Sequence, residues 1–125
     1  MTLGACSTQA SLTLLSQPEG AYLTENVTGK VFGVAPVTVM YDAEVLASFK
    51  GSDGCYRVKG FEARWVSGAI ASLELITLCG TSTGAYNITF SRDPKFPELE
   101  RDLQFALQVQ QTRAQQKQAN ATRRA

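Results

Sequence analysis

The chain has 125 residues, a formal net charge of +1 at pH 7 and 44% hydrophobic residues. This length suits one domain that buries about two-thirds of the surface of its unfolded chain. The near-neutral charge excludes a polycation that coats nucleic acid and an acidic disordered chain. Histidine is absent, which removes the usual general base and the commonest metal ligand, so we expect no catalytic residues, no cofactor and no metal site.

The N-terminus contains the segment Leu3-Gly4-Ala5-Cys6, followed by Ser7. It resembles the lipobox of bacterial lipoproteins, in which a signal peptidase cuts before a cysteine that becomes acylated. The resemblance implies a lipid on Cys6, and the serine after it resembles outer-membrane sorting. No signal region precedes Leu3, so either the start lies upstream, or the chain was trimmed, or the match is accidental. The longest apolar stretch, residues 69–79, is shorter than the roughly 20 residues of a membrane helix, so we expect an anchor only.

The first half of the chain predicts short strands separated by turns. Leu12 and Leu14 alternate with polar residues over residues 11–16, and residues 21–24, 31–34 and 37–41 continue as strands. Pro18-Glu19-Gly20 predicts a turn, because proline fixes its own φ and glycine adopts a φ that other residues avoid. Pro36 cannot donate to a strand ladder, so it indicates a strand start or a sheet edge.

The motif Pro18-Glu19-Gly20-Ala21, followed by Gly29, Gly33 and Ala35-Pro36, resembles the PEGA domain, a small β-sandwich named after its Pro-Glu-Gly-Ala motif. Lys59-Gly60-Phe61 resembles a later Lys-Gly-Tyr element of that family. The resemblance covers about residues 14–66 and implies a binding or scaffolding module of envelope and surface proteins. Ala35 stands where the family usually has threonine, and residues 42–54 form a longer connection than usual.

The middle of the chain predicts further strands. Residues 42–50 have two interpretations, either a helical turn capped by Asp42 or a strand. Residues 61–66 predict a half-buried strand in which Trp65 is a core anchor rather than a ligand platform. Residues 69–79 and 85–91 predict two more strands. The side chains expected on one face of the first are Ala71, Leu73 and Leu75, and those expected inward on the second are Tyr86, Ile88 and Phe90.

Two of the three cysteines form a candidate disulfide. If Cys6 carries lipid, Cys55 and Cys79 remain as an even pair, which an oxidising compartment would keep bridged. The loop of about two dozen residues would then stabilise the fold by about 3 kcal/mol. The alternation of side chains along the two strands counts against the disulfide. It places Cys79 on the same face as Leu75 and Cys55 on the same face as Arg57, so the two cysteines are expected on faces of different character. The bridge therefore needs twist or a bulge at the strand ends, and the alternative is two buried free thiols.

After Arg92 the pattern changes from strand to helix. Pro97, Glu98 and Glu100 are typical of a first helical turn. An apolar face formed by Leu99, Leu103, Ala106 and Leu107, with Phe105 and Val109 alongside, should pack on an apolar surface. From Gln108 the chain has no acidic residue, so this tail is either a fraying polar terminus or an arm that orders on a neighbouring subunit or an anionic surface. The candidate interaction residues are Leu99, Leu103, Phe105, Leu107, Arg113 and Lys117.

These elements predict a mainly β fold. We expect a tether in residues 1–10, a small antiparallel, immunoglobulin-like β-sandwich in residues 11–92, and a C-terminal helix with a basic, Gln-rich tail in residues 93–125. The predicted function is that of a non-enzymatic outer-membrane lipoprotein, a structural or scaffolding subunit of a cell-envelope assembly on the periplasmic face. Expected partners are proteins of that assembly, with a homo-oligomer and peptidoglycan as further options, and no nucleic acid.

The rival function is a secreted or periplasmic binding protein, such as a hydrolase inhibitor or a carbohydrate binder. It would use two exposed loops, residues 25–30 and residues 81–84. An enzyme has the least support, because nothing in the sequence brings two carboxylates together. The acidic residues in question, all on separate segments, are Asp42, Asp53, Glu62 and Glu74.

Overall fold

The structure, a computed structural model, describes residues 8–124 and the side chains of residues 8–119. These residues form seven strands and two helices. The elements are β1 (Gln9–Gln17), β2 (Tyr22–Glu25), β3 (Val31–Val34), β4 (Val37–Asp42), α1 (Ala43–Ala47), β5 (Cys55–Arg64), β6 (Ile70–Cys79), β7 (Ala85–Ser91) and α2 (Leu99–Arg124). The predicted lipobox, which includes Cys6, lies outside the described residues.

The strands form two sheets around one core. One sheet has the order β4-β1-β7, and the other has the order β3-β2-β5-β6. Leu12, Leu14 and Phe90 from the first sheet meet Leu23 and Phe61 from the second. The prediction of a mainly β fold, a small sandwich followed by one C-terminal helix, is confirmed. One strand pair differs from the antiparallel expectation, because β1 and β7 run parallel.

The turn from Pro18 to Ala21 joins the two sheets. Gly20 has a φ of 104°, which L side chains rarely adopt, so glycine is required there. The Ser16 hydroxyl accepts a hydrogen bond from the Ala21 amide at 3.1 Å. Trp65 is buried and its Nε1 donates to the Pro18 carbonyl oxygen at 2.8 Å. The prediction that Trp65 anchors the core is therefore confirmed, and its partner is this turn.

The structure after Pro36 bears on two expectations, the role of Pro36 and the conformation of residues 42–50. β4 begins at Val37, directly after Pro36, and is an edge strand of its sheet, as the missing proline N–H predicts. Of the two interpretations of residues 42–50, the structure has the helical one. Asp42 caps α1, since its carboxylate accepts from the Glu44 amide at 2.9 Å, and Leu46 is buried in the core.

Strand alternation is interrupted at Gly60. The buried side chains of β5 have even numbers before Gly60 and odd numbers after it, namely Tyr56, Val58, Phe61 and Ala63. On β6, Ile76 and Leu78 are buried, whereas Leu73 and Leu75 are exposed. The expectation that Ala71, Leu73 and Leu75 share one face is wrong for Leu75, which lies opposite the exposed Lys59, whereas Leu73 lies opposite the buried Phe61. A side chain on Gly60 would overlap the Leu73 carbonyl oxygen, so the two backbones approach closely here and the inward side of both strands changes.

Candidate functional site

The start of α2 is fixed to the sandwich by a buried ion pair. Arg92, just after β7, forms this ion pair with its Nε 2.9 Å from Asp102 Oδ2. The Asp102 carboxylate also accepts from the Ser67 amide at 2.9 Å and from the Ser67 hydroxyl at 2.7 Å. Arg92 Nη2 donates to the Phe96 and Pro97 carbonyl oxygens at 2.8 Å and 3.0 Å. Four chain segments are thereby joined, so the rotation of α2 about its axis is set.

The middle of α2 packs on the turn from Pro18 to Ala21. A Cβ on Gly20 would lie 2.8 Å from Phe105 Cδ2 and 3.6 Å from Val109 Cγ2, so the helix rests where Gly20 has no side chain. One turn later, Arg113 donates to the Val34 carbonyl oxygen at 2.8 Å and to the Pro36 carbonyl oxygen at 3.4 Å. Phe105 and Arg113, two of the predicted interaction residues, therefore hold the helix on its own sandwich.

Three leucines of α2 remain outside this packing. Leu99, Leu103 and Leu107 are 37%, 47% and 58% exposed; we call them the leucine stripe. The three leucines therefore do not share the packed face of Ala106, and the apolar surface on which the sequence expects them to pack does not belong to the sandwich. The helix faces the sandwich with Asp102, Phe105, Ala106, Val109 and Arg113, which are buried or half-buried. At 3.6 residues per turn, the stripe lies about 100° around the helix from that face.

Two apolar grooves run between the leucine stripe and the outer face of β1 and β7. The larger, of about 650 Å³, has Leu15, Glu19, Thr89, Leu103 and Leu107 among its lining residues. The smaller, of about 290 Å³, is lined in part by Pro94, Leu99 and Leu103. Both grooves share Gln17, Pro18 and Leu103. The stripe and the grooves together form a continuous surface, which we call the stripe surface.

The last part of α2 is exposed as far as its side chains are described. The side chains of residues 114–119, which include the predicted interaction residue Lys117, are exposed. The backbone is helical to Arg124, which places the end of the helix about 16 Å beyond Arg113. Of the six predicted interaction residues, the structure thus brings the three leucines together and separates them from Phe105, Arg113 and Lys117.

The disulfide between Cys55 and Cys79 is present, as predicted. The two cysteines are directly opposite in the β5–β6 register, with their Cα atoms 4.3 Å apart. Alternation does not separate the two cysteines, because the face that Cys79 shares with Leu75 is also the face that Cys55 shares with Arg57 and Lys59. Leu75 lies opposite Lys59 on the exposed face, so both cysteines belong to that face.

Three of the four carboxylates named in the sequence have partners on their own segments of the chain. Hydrogen bonds from the Arg57 side chain and the Cys55 amide lower the pKa of Asp53 to about 2, and Asp42 caps α1. Glu62 pairs with Arg64 at 3.2 Å. Within residues 8–124, no group of three or more Cys, Asp or Glu side chains is placed to hold a metal ion.

The two loops of the rival function lie at different places. The Asn26 amide donates to the Gly60 carbonyl oxygen at 3.0 Å, so the loop of residues 25–30 covers the middle of β5. The loop of residues 81–84 follows Cys79, which pairs with Cys55 at the start of that strand. Five residue steps separate Gly60 from Cys55, or about 17 Å. The loops therefore do not converge on one binding site.

The cluster of the buried Arg92 and Asp102 with the half-buried Ser67 was missed in the sequence. A signal was available, because Arg92 continues the inward series of β7, in which Phe90 is buried. Asp102 also precedes Phe105 and Ala106 by three and four residues, which puts a charge on an apolar helix face. Two opposite charges at core positions indicate a pair, since an isolated buried charge is costly.

Comparison with protein-family models, with curated proteins and with solved structures finds no match. Among the described residues, neither helix combines the length and apolar character of a membrane span. The candidate site therefore rests on the geometry of the chain itself.

Proposed function

We propose that this chain is a non-enzymatic structural or scaffolding subunit of a cell-envelope assembly and that it binds protein partners through the stripe surface. The observation that carries the proposal is the exposure of Leu99, Leu103 and Leu107 on a helix that is otherwise held in place by a buried ion pair. Apolar side chains grouped on a rigid helix beside a groove are typical of protein interfaces. A helix held in one rotation loses little conformational freedom on binding.

The proposed localisation of the chain is the periplasmic face of the outer membrane, to which a lipid on Cys6 would anchor it. The disulfide between Cys55 and Cys79 supports an oxidising compartment, where such bonds persist. The lipobox resemblance and Ser7 support the anchor and the sorting. The PEGA resemblance belongs to the same proposal and is supported by the use of Pro18 and Gly20 as a turn.

The path of β1 suggests how such a subunit would be oriented. A tether on Cys6 would enter at Gln9, where β1 begins, whereas the grooves lie near Gln17, where β1 ends. These two residues are eight steps apart, which is about 26 Å along a strand. An anchored chain would therefore present the stripe surface at the end of the domain away from the tether.

Crosslinking in native membranes tests the interaction. A photoreactive amino acid at Leu103 should trap a protein of the envelope, and the same probe at Leu75 should not. Leu75 is a suitable control, because it is 58% exposed, as Leu107 is, but lies on β6. Equal crosslinking from both positions, or none from Leu103, contradicts the proposed surface.

Mass spectrometry of the chain isolated from its native membranes tests the anchor. We expect the N-terminal peptide to begin at Cys6 with an acyl-modified mass, and we expect the variant Cys6→Ser to appear in the soluble fraction. An unmodified Cys6 in membrane-bound chain contradicts the anchor, while the interaction through the stripe surface is tested separately.

A further inference from the structure

We infer that the partner of the stripe surface is a second copy of this chain, whose α2 packs antiparallel on the first about a two-fold axis at Leu103. This inference rests on the proposed function and names its partner. It is carried by three features of the described residues: the spacing of the leucines, the position of the grooves and the charges at the groove ends.

The leucine stripe is complementary to itself when inverted. Leu99 and Leu107 lie four residues before and after Leu103, so each is about 6 Å from it along the axis. When two such helices pack antiparallel with Leu103 on the axis, Leu99 of each copy meets Leu107 of the other. This arrangement is an isologous interface, which closes as a dimer.

The grooves lie where the leucines of a second copy would be placed. The larger groove lies beside Leu107 and the smaller beside Leu99, and Leu103 lines both. In the antiparallel pair, Leu99 of the second copy enters the larger groove and its Leu107 enters the smaller one. Helices packed side by side are about 8–10 Å apart, so side chains from the second helix reach the groove floor at Leu15 and Pro18.

The charges at the groove ends favour the same arrangement. Glu19 lines the larger groove, and Lys95 is exposed directly after Pro94, which lines the smaller groove. Neither side chain takes part in the ion pairs of the described residues. Antiparallel packing brings Lys95 of one copy to the groove end that carries Glu19 of the other, and the two-fold axis makes this pair twice. Parallel packing would instead bring Glu98 and Glu100 of both copies together, which like charges disfavour.

Sedimentation equilibrium of the purified full-length chain tests the dimer. We expect a reversible monomer–dimer equilibrium that Leu103→Glu shifts by at least about 100-fold in dissociation constant, because a residue on the axis is changed twice. Leu75→Glu is the matched control and should leave the equilibrium unchanged. Near-ultraviolet circular dichroism checks that both variants keep the native fold. A wild-type chain that remains monomeric at millimolar concentration overturns the inference, as does equal weakening by both variants.

Two further sets of variants test the orientation. In a Cys6→Ser background, Leu103→Cys should form an inter-copy disulfide on mild oxidation, and Leu99→Cys mixed with Leu107→Cys should form the crossed disulfide. Failure of Leu103→Cys to crosslink a chain that sediments as a dimer overturns the axis at Leu103. Glu19→Lys and Lys95→Glu should each weaken the dimer by about tenfold, and the double variant should restore it. Additive weakening in the double variant overturns the charge pairing.

The result also distinguishes this inference from the proposed function. If the purified chain is monomeric while a probe at Leu103 traps a different envelope protein in membranes, the second copy is refuted and the interaction surface stands. If the chain is monomeric and Leu103 traps nothing, both are refuted.

Discussion

Replacing Gly20 by alanine should weaken the docking of α2 as well as the turn that carries it. The added Cβ would lie 2.8 Å and 3.2 Å from two ring carbons of Phe105, at a φ of 104°. A side chain at such a φ costs about 1–2 kcal/mol, and overpacking against a held ring adds about 1–3 kcal/mol. We therefore expect Gly20→Ala to lower the free energy of unfolding by about 3 kcal/mol.

A control variant and a double-mutant cycle separate the two costs. Gly33 has a φ of 99° and no atom within 4 Å of its added Cβ, so Gly33→Ala measures the backbone cost alone. In a Phe105→Ala background the ring is gone, and Gly20→Ala should then cost no more than Gly33→Ala does. The expected coupling between Gly20 and Phe105 is about 2 kcal/mol.

Urea unfolding followed by the fluorescence of Trp65 measures these differences. Trp65 is the single tryptophan, and it is buried with its Nε1 on Pro18 of the same turn. If Gly20→Ala costs the same with and without the Phe105 ring, within about 0.5 kcal/mol, α2 does not rest on Gly20 and the rotation that exposes the leucine stripe is refuted.

Three other features give measurable expectations. Asp102→Ala leaves the Arg92 guanidinium buried without its carboxylate, so the free energy of unfolding in urea should fall by about 3–5 kcal/mol, and a loss below 1 kcal/mol contradicts a buried pair. Reduction of the Cys55–Cys79 disulfide should lower the free energy of unfolding by about 3 kcal/mol. The double variant with Cys55→Ser and Cys79→Ser should show the same loss, and adding reductant to it should cause no further loss. Burial raises the pKa of Tyr41 to about 12, whereas the unfolded chain ionises it near pH 10. The contribution of the neutral Tyr41 to the free energy of unfolding should therefore be complete below pH 10 and fall by about 2–3 kcal/mol towards pH 12. An equal fall in the free energy of unfolding of the Tyr41→Phe variant would refute this.

Much of the sandwich could be predicted because its signals are local. Alternation over residues 85–91 gives β7 with the bounds that the structure has, and Pro36 marks the start of β4. The turn at Gly20 follows from residue types alone. In each case neighbouring residues contain the physical cause, which is a backbone preference or the two-residue period of a strand.

The incorrect predictions concern features that distant residues decide. Leu73 and Leu75 alternate as a core face would, but the close approach of β6 to Gly60 changes which side of the strand faces inward. The apolar residues of α2 allow more than one packed face. Asp102 selects one of them by binding Ser67, 35 residues earlier. A pattern read along one element carries no information about such partners.

The place of β1 in its sheet has a consequence for synthesis on the ribosome. β1 is the central strand between β4 and β7, and Ser11 pairs with Ala85. At about 5–20 residues per second, the ribosome needs about 4–15 s to add the 74 residues from residue 12 to Ala85. During that time the edge of β1 that pairs with β7 stays unpaired, and Leu12 and Leu14 are not yet covered by β7. The β5–β6 hairpin, in contrast, can pair as soon as it emerges. We therefore expect nascent chains that end before residue 85 to need a chaperone, and release of the complete chain to end that need.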